Sequence, residues 1–289
     1  MRPAPASPAH HEVAGRVRRW VAGKPEAETD IVRAPARALL VQVAMGDLQP
    51  GGAHDLPARI AVHGALEQCA SWHFDSALSQ VLVRHGDPWP DLAEAMALRV
   101  LAHALAYTRP EALAPHDDAV IGLALCEDLV LGLGHGERIL DGYRAHDARP
   151  QQHPDGVVQV AHELHAAATR RVEPDEALFA EPLAPAYAAL VRSLRGSTTD
   201  FAAALDDACE LHLERSSGIA GRWFAAQTDA LVPSELLAAI SVRGRLGLKV
   251  PSVVHPLLAP YLADPARSPQ ALRSALLDQL EWRLNSSWL

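Results

Sequence analysis

The residues of this chain that could most directly perform chemistry are its 15 histidines. The tightest local group is His162-Glu-Leu-His165, where two imidazoles three residues apart lie on one face of a helix and could share a metal ion. A zinc-protease helix carries its histidines four residues apart with a glutamate between them. Because this spacing differs, we interpret the segment as a partly exposed polar helix.

Three histidines are followed directly by aspartate, a dipeptide that helical metal-dependent phosphohydrolases use to bind divalent cations. Each pair lies near a predicted helix end or break, where an aspartate can simply cap the helix. No glutamate is followed by a histidine three residues later, as a helical di-iron site requires. A helical metal-dependent hydrolase therefore remains only an alternative. The pairs are His54-Asp55, His116-Asp117 and His146-Asp147.

Nucleophilic and phosphate-binding motifs are missing from the sequence. There is no GxSxG motif, and Gly132-Leu-Gly-His-Gly lacks the Lys-Ser/Thr of a phosphate-binding loop. The cysteines Cys69, Cys126 and Cys209 have no metal-binding spacing, so we predict small buried side chains. His212 shares a helical face with apolar residues and is predicted to be a hydrogen-bonded core residue. We therefore expect no catalytic site, cofactor or metal.

Negative charge is concentrated in one part of the chain. Residues 155–215 contain eleven acidic residues against five arginines. Asp207, Glu210 and Glu214 follow one another at i, i+3 and i+7 and form an acidic strip, although like charges at this spacing mildly destabilise a helix. A solvated helix face is one interpretation, and docking of a basic partner is the other. The candidate partner-binding residues are Asp207, Glu210, Glu214, Glu173, Asp175 and Glu176.

Overall composition limits the function classes. With 289 residues, 49% of them hydrophobic, the chain can bury a large core. A net charge of −9 argues against nucleic-acid binding, which needs a basic surface. The sequence shows neither a secretory signal nor an apolar run long enough for a membrane span. A cytoplasmic location is the resulting expectation.

Apolar periodicity predicts an all-α fold, an antiparallel helical array that is repeat-like, as a bundle or solenoid without a fixed-period repeat. Residues 1–9 are predicted to be a disordered tail. Residues 10–289 are predicted to be one helical domain, with a division into two lobes near 147–155. Pro35 is expected in the first turn of its helix. The predicted helices cover about 13–21, 34–46, 55–83, 90–108, 116–133, 136–146, 156–171, 175–194, 199–215, 233–247 and 267–285.

The C-terminal third resembles the immunity protein 49 family of bacterial polymorphic toxin systems. The resemblance rests on a Phe-led helix ending in Leu-His (200–212), a Leu/Ala helix interrupted by proline (230–238), a glycine before a short Val-containing stretch (246–250) and a final Leu-Pro segment (255–262). The segment Trp89-Pro-Asp-Leu-Ala-Glu-Ala-Met is also similar. Arg243 and Arg245 depart from the pattern, because members are more apolar there, and so does the Pro-rich insert at 149–154.

The resemblance implies a non-enzymatic helical protein that binds a cognate toxin and blocks it. An acidic helical surface fits a stoichiometric inhibitor of a basic protein, because complementary charge accelerates association. Two alternatives remain from the residues alone. One is a helical-repeat scaffold or regulatory protein-binding module, and the other is the metal-dependent hydrolase.

Overall fold

The computed structural model describes residues 7–22, 26–49, 55–113, 118–146, 156–169, 182–217, 229–252, 255–263 and 269–289. Within these ranges all regular structure is helical, which confirms the predicted all-α class. None of these helices is long and apolar enough to cross a membrane. The helices are α1 (Pro8–Ala22), α2 (Glu26–Met45), α3 (Asp55–Ser79), α4 (Trp89–Ala106), α5 (Pro110–Leu113), α6 (Asp118–Leu131), α7 (Gly136–His146), α8 (Gly156–Thr169), α9 (Pro185–Ser193), α10 (Thr198–Ser217), α11 (Ser234–Arg245) and α12 (Ala275–Ser287), with a π-helical turn at Gln80–Arg84 and a 3-10 turn at Pro269–Leu272.

Most helices lie where apolar periodicity places them, and α2 is the clearest exception. The prediction that Pro35 occupies a first turn is wrong, because α2 begins at Glu26 and Pro35 lies inside it. An interior proline removes one helical hydrogen bond. The preceding residues Glu26, Ala27 and Glu28 are good helix formers that carry no apolar pattern. The helix propensity of these residues extends α2 beyond the stretch in which apolar residues recur at helical spacing.

The chain forms two compact units, each assembled from separate stretches of sequence. The first unit contains Met1–Trp20, Asp117–Val130 and Ala148–Arg267, and the second contains Val21–His116, Leu131–Asp147 and Ser268–Leu289. One of the boundaries falls at Asp147, at the start of the segment where the sequence suggested a division. Pro8 and Ala9, at the end of the predicted tail, already belong to α1.

The second unit is built around a bundle of α2, α3, α4 and α12. In this bundle α3 packs on α2 and α4, and α12 packs on α2 and α4. After α3 the chain widens into the π-helical turn, which ends at His85, whose φ of 51° is left-handed. Asp87 then accepts a hydrogen bond from the Trp89 amide, at 3.1 Å, and so caps α4. The nearly uninterrupted apolar sequence of α4 makes it the most buried helix of the bundle.

The first unit places α10 against α9 and α11, with α8 packed on α9 and α11. A close backbone approach also joins α6 to α8. A Cβ atom added to Gly122 would lie 2.6 Å from the carbonyl carbon of Val157. Only glycine permits this approach without moving a helix.

Candidate functional site

Helix α10 carries the acidic strip, and its first turn is fixed by a reciprocal cap. Ser197 Oγ accepts a hydrogen bond from the amide of Asp200 at 3.1 Å, and the Ser197 hydroxyl donates to the Asp200 carboxylate at 2.7 Å. This arrangement satisfies an amide that the start of a helix leaves without a partner. The negative charge of Asp200 also suits the positive end of the helix dipole.

The inner face of α10 is held by a buried polar cluster formed by His212, Glu235 and Tyr187. His212 Nδ1 lies 2.7 Å from Glu235 Oε1, and the Tyr187 hydroxyl donates to the same oxygen at 2.9 Å. All three side chains are completely buried. The cluster therefore ties α10 to α11 and α9 in a region without solvent.

The hydrogen-bond partners of His212 show which of its ring nitrogens carry hydrogens. His212 Nε2 lies 3.2 Å from the carbonyl oxygen of Ala230, which can only accept, so Nε2 must carry a hydrogen. One further proton is shared between His212 Nδ1 and the Glu235 carboxyl group. Whichever atom holds it, the pair is net neutral, which is how a buried histidine and glutamate avoid isolated charge.

Arg243, in the last turn of α11, anchors the other end of this region. It is 2% exposed, and its guanidinium donates to the carbonyl oxygens of Ser193, Leu194 and Gly196. The carbonyls of Ser193 and Leu194 lie at the C-terminal end of α9, where the helix dipole is negative, and that of Gly196 lies in the short link to α10. The guanidinium carbon also lies 4.7 Å from the ring centroid of Phe201, on α10. This buried cation fixes the point from which α10 starts.

The acidic strip itself faces solvent. Asp207, Glu210 and Glu214 are exposed, as is the neighbouring Asp206. Glu210 accepts a hydrogen bond from His255 Nε2 at 3.0 Å. Within the described part of the chain, Asp207 and Glu214 have no cation within ion-pair distance. The strip therefore combines one carboxylate held against the protein with two that remain available to a partner.

Cys209 lies on the buried face of α10, directly beneath this charge. Burial raises the pKa of the Cys209 thiol well above its usual range, and the carboxylates of Glu235, Asp206 and Glu210 raise it further. A thiol in this position stays protonated and acts as a small apolar side chain. This agrees with the interpretation of the cysteines as buried residues, and all three are buried.

The structure describes three of the six candidate partner-binding residues. It places Asp207, Glu210 and Glu214 together on α10. Glu173, Asp175 and Glu176 lie outside the described residues. The contact between His255 and Glu210 was not predicted from the sequence. No local pattern links these two residues, because 45 positions separate them in the chain.

Among the histidines, one prediction is confirmed and one is partly wrong. His212 is a hydrogen-bonded core residue, as predicted. Helix α8 is partly exposed, as expected, since Gln159 and Glu163 are half-buried and Thr169 is exposed. His162 and His165, however, are buried among the apolar residues of α8 and do not lie on its polar face.

The three His-Asp pairs are only partly described. Asp55 and His146 are present at helix ends, and the other members, His54, His116, Asp117 and Asp147, lie outside the described residues. Asp55 begins α3 and forms an ion pair with Arg59 one turn later. In the described ranges, no group of three or more histidine, cysteine, aspartate or glutamate side chains is placed to hold a metal ion.

Comparison of the chain with protein-family models, with curated proteins and with solved structures found no match.

Proposed function

We propose that this protein is an immunity protein, which binds a cognate bacterial toxin and neutralises it by covering its active site or substrate path. The binding surface is the acidic strip on α10, and the toxin presents a basic face to it. The immunity protein 49 resemblance of residues 200–262 supports this assignment, since that block contains all of α11 and all of α10 except its first two residues. The protein would act by occlusion, without catalysis.

The observation that carries the proposal is the contrast between the two faces of α10. Its outer face has exposed carboxylates at Asp206, Asp207 and Glu214. Its inner face is fixed by the His212–Glu235 contact. A rigid helix loses little conformational freedom when a partner docks, so more of the interaction energy becomes affinity.

Charge on such a surface acts mainly on the rate of association. Complementary charge raises association rates about 10- to 1,000-fold at low ionic strength. A toxin made in the same cell must be captured before it acts, so fast association is the property that an immunity protein needs. Asp207 and Glu214 are the residues best placed to supply it.

Protection of cells from the toxin encoded beside this gene tests the proposal. Bacteria expressing that toxin should grow when this protein is co-expressed and stop growing without it. The Asp207→Lys/Glu214→Lys variant should protect less, whereas Asp47→Lys/Asp141→Lys, which alters two exposed carboxylates elsewhere, should protect fully. Failure of the unaltered protein to protect would contradict the immunity function and favour the scaffold alternative.

A further inference from the structure

The bundle of α2, α3, α4 and α12 forms a partly open cavity of about 180 Å³, distant in sequence from the acidic strip and unrelated to the proposed immunity function. All four helices contribute side chains to its wall, as in the ligand sites that helical bundles commonly form. Most of the wall is apolar, and a few polar groups are present. The lining residues include Leu40, Leu98, Leu277 and Leu280.

One face of α3 brings a thiol and an imidazole to this cavity. Cys69 and His73 are four residues apart, one helical turn, and both line the cavity. Trp72 lies between them in sequence and lines it as well. Cys69 is a reduced cysteine.

His73 is oriented by a carboxylate on the neighbouring helix. Its Nδ1 lies 2.9 Å from Asp91 Oδ1, and Asp91 Oδ2 accepts a hydrogen bond from Ser76 at 2.5 Å. A carboxylate accepts the Nδ1 hydrogen and thereby favours the tautomer in which Nε2 can take up a proton. Among the described residues, Nε2 of His73 has no hydrogen-bond partner. The cavity thus combines a thiol with an oriented proton acceptor.

The edge of the cavity carries one cation that is not paired within the described chain. Arg37 lines the cavity, is exposed, and forms no ion pair with any described residue. The cavity also contains a carboxylate, Glu94, which accepts a hydrogen bond from the amide of Ser274 at 2.9 Å and so caps α12. Glu94 keeps its charge but is engaged by this amide, whereas the Arg37 guanidinium remains available as a charged donor for an anionic group of a ligand.

We propose that the cavity is a modification site at which Cys69 undergoes thiol–disulfide exchange with a small anionic disulfide. The Cys69 thiol proton passes to His73 Nε2, and the thiolate sulfur attacks one sulfur of the disulfide. A new S–S bond forms at Cys69, while the other sulfur leaves with the electron pair as a thiolate. Cys69 is oxidised and the departing sulfur is reduced, so no further oxidant is needed.

The other two cysteines provide internal controls. Cys126 and Cys209 are both 0% exposed and do not line the cavity, whereas Cys69 is 7% exposed. The cavity also has room to retain a small adduct after exchange. In the folded protein, reaction is therefore confined to Cys69.

DTNB, a small aromatic disulfide with two negative charges, is the probe for this test. The folded protein should release one equivalent of aromatic thiolate, and peptide mapping should place the adduct on Cys69. The denatured protein should release three. Cys69→Ser should release none when folded and two when denatured, with unchanged helicity by circular dichroism. No reaction of the folded protein, or an adduct on Cys126 or Cys209, would overturn the proposal.

Two further variants test the contributions of charge and imidazole. Arg37→Gln should slow DTNB about three- to ten-fold, as expected for loss of one nearby charge at a solvated site, and should leave reaction with neutral hydroxyethyl disulfide unchanged. In His73→Gln, the rate of reaction with DTNB should begin to rise only at a higher pH than in the unaltered protein. Among the described residues, the charged groups that line the cavity or contact His73 are Arg37 on α2 and Asp91 and Glu94 on α4. Equal slowing of both reagents in Arg37→Gln would contradict the assigned charge recognition, and an unmoved pH profile in His73→Gln would contradict proton transfer to the imidazole.

Discussion

Replacing Arg243 tests whether a buried cation fixes the start of α10. The guanidinium uses Nε to bond the Lys249 carbonyl at 2.8 Å, and it bonds Leu194 at the same distance. With its contacts to Ser193 and Gly196, it makes four carbonyl contacts while being almost completely buried. Arg243→Met retains the apolar stem of the side chain and leaves all four carbonyls without this donor.

The expected loss of stability follows from the number of hydrogen bonds that Arg243→Met removes. A hydrogen bond to a charged group contributes about 1.5–3 kcal/mol. Because Arg243→Met also removes the desolvation cost of a buried charge, part of the lost stability is offset. We therefore expect Arg243→Met to lower the free energy of unfolding by about 3–5 kcal/mol. For a chain of this size, that loss corresponds to a decrease in Tm of about 10 °C. Arg243→Lys should have an intermediate effect, because one ammonium group cannot reproduce the planar fork of a guanidinium.

Thermal and urea unfolding followed by circular dichroism measure this effect. The matched control is Arg138→Met, which removes an exposed arginine from α7. Its effect should stay within about 0.5 kcal/mol. If Arg243→Met were as stable as the control, the four contacts would contribute no net stability and the anchoring role would be refuted.

Two further predictions concern the cores of the two units. Burial lowers the pKa of His103 from 6.5 to about 4, so this imidazole remains neutral in the folded protein while it gains a proton in the unfolded chain. The resulting stability is complete above pH 6.5 and falls by about 3 kcal/mol as the pH drops to 4, and urea unfolding of His103→Leu should lack this part of the pH dependence. Gly122→Ala should lower the free energy of unfolding by about 1–3 kcal/mol because α6 and α8 must separate. A Tm equal to that of the unaltered protein would contradict the close approach.

Much of the fold follows from patterns that are local in the sequence. The period of apolar residues located α10 and α11, and Asp55 marked the start of α3. Polar residues on apolar helices were harder to interpret. His212 interrupts one apolar face and was correctly placed in the core. His162 and His165 lie on a helix that is apolar on several sides, where spacing alone does not show which residues are buried.

Contacts between distant residues could not be predicted from spacing. Arg243 was recognised only as a departure from an apolar pattern, although three of its four carbonyl partners lie about 50 residues earlier. The same limit applies to the cavity in the second unit. The spacing of Cys69 and His73 indicates a shared helix face, but only the packing of α4 shows that Asp91 orients the imidazole.

The most direct test of the proposed immunity function is the salt dependence of association with the product of the neighbouring gene, the expected toxin, measured by stopped-flow fluorescence. Asp207→Lys/Glu214→Lys and Asp47→Lys/Asp141→Lys each convert two carboxylates to ammonium groups, so both change the net charge of −9 by the same amount. Glu210 is retained because it contacts His255. We predict that only the α10 variant slows association, by about ten-fold or more at low salt, and weakens its salt dependence. Equal rates for the two variants would contradict docking at the acidic strip.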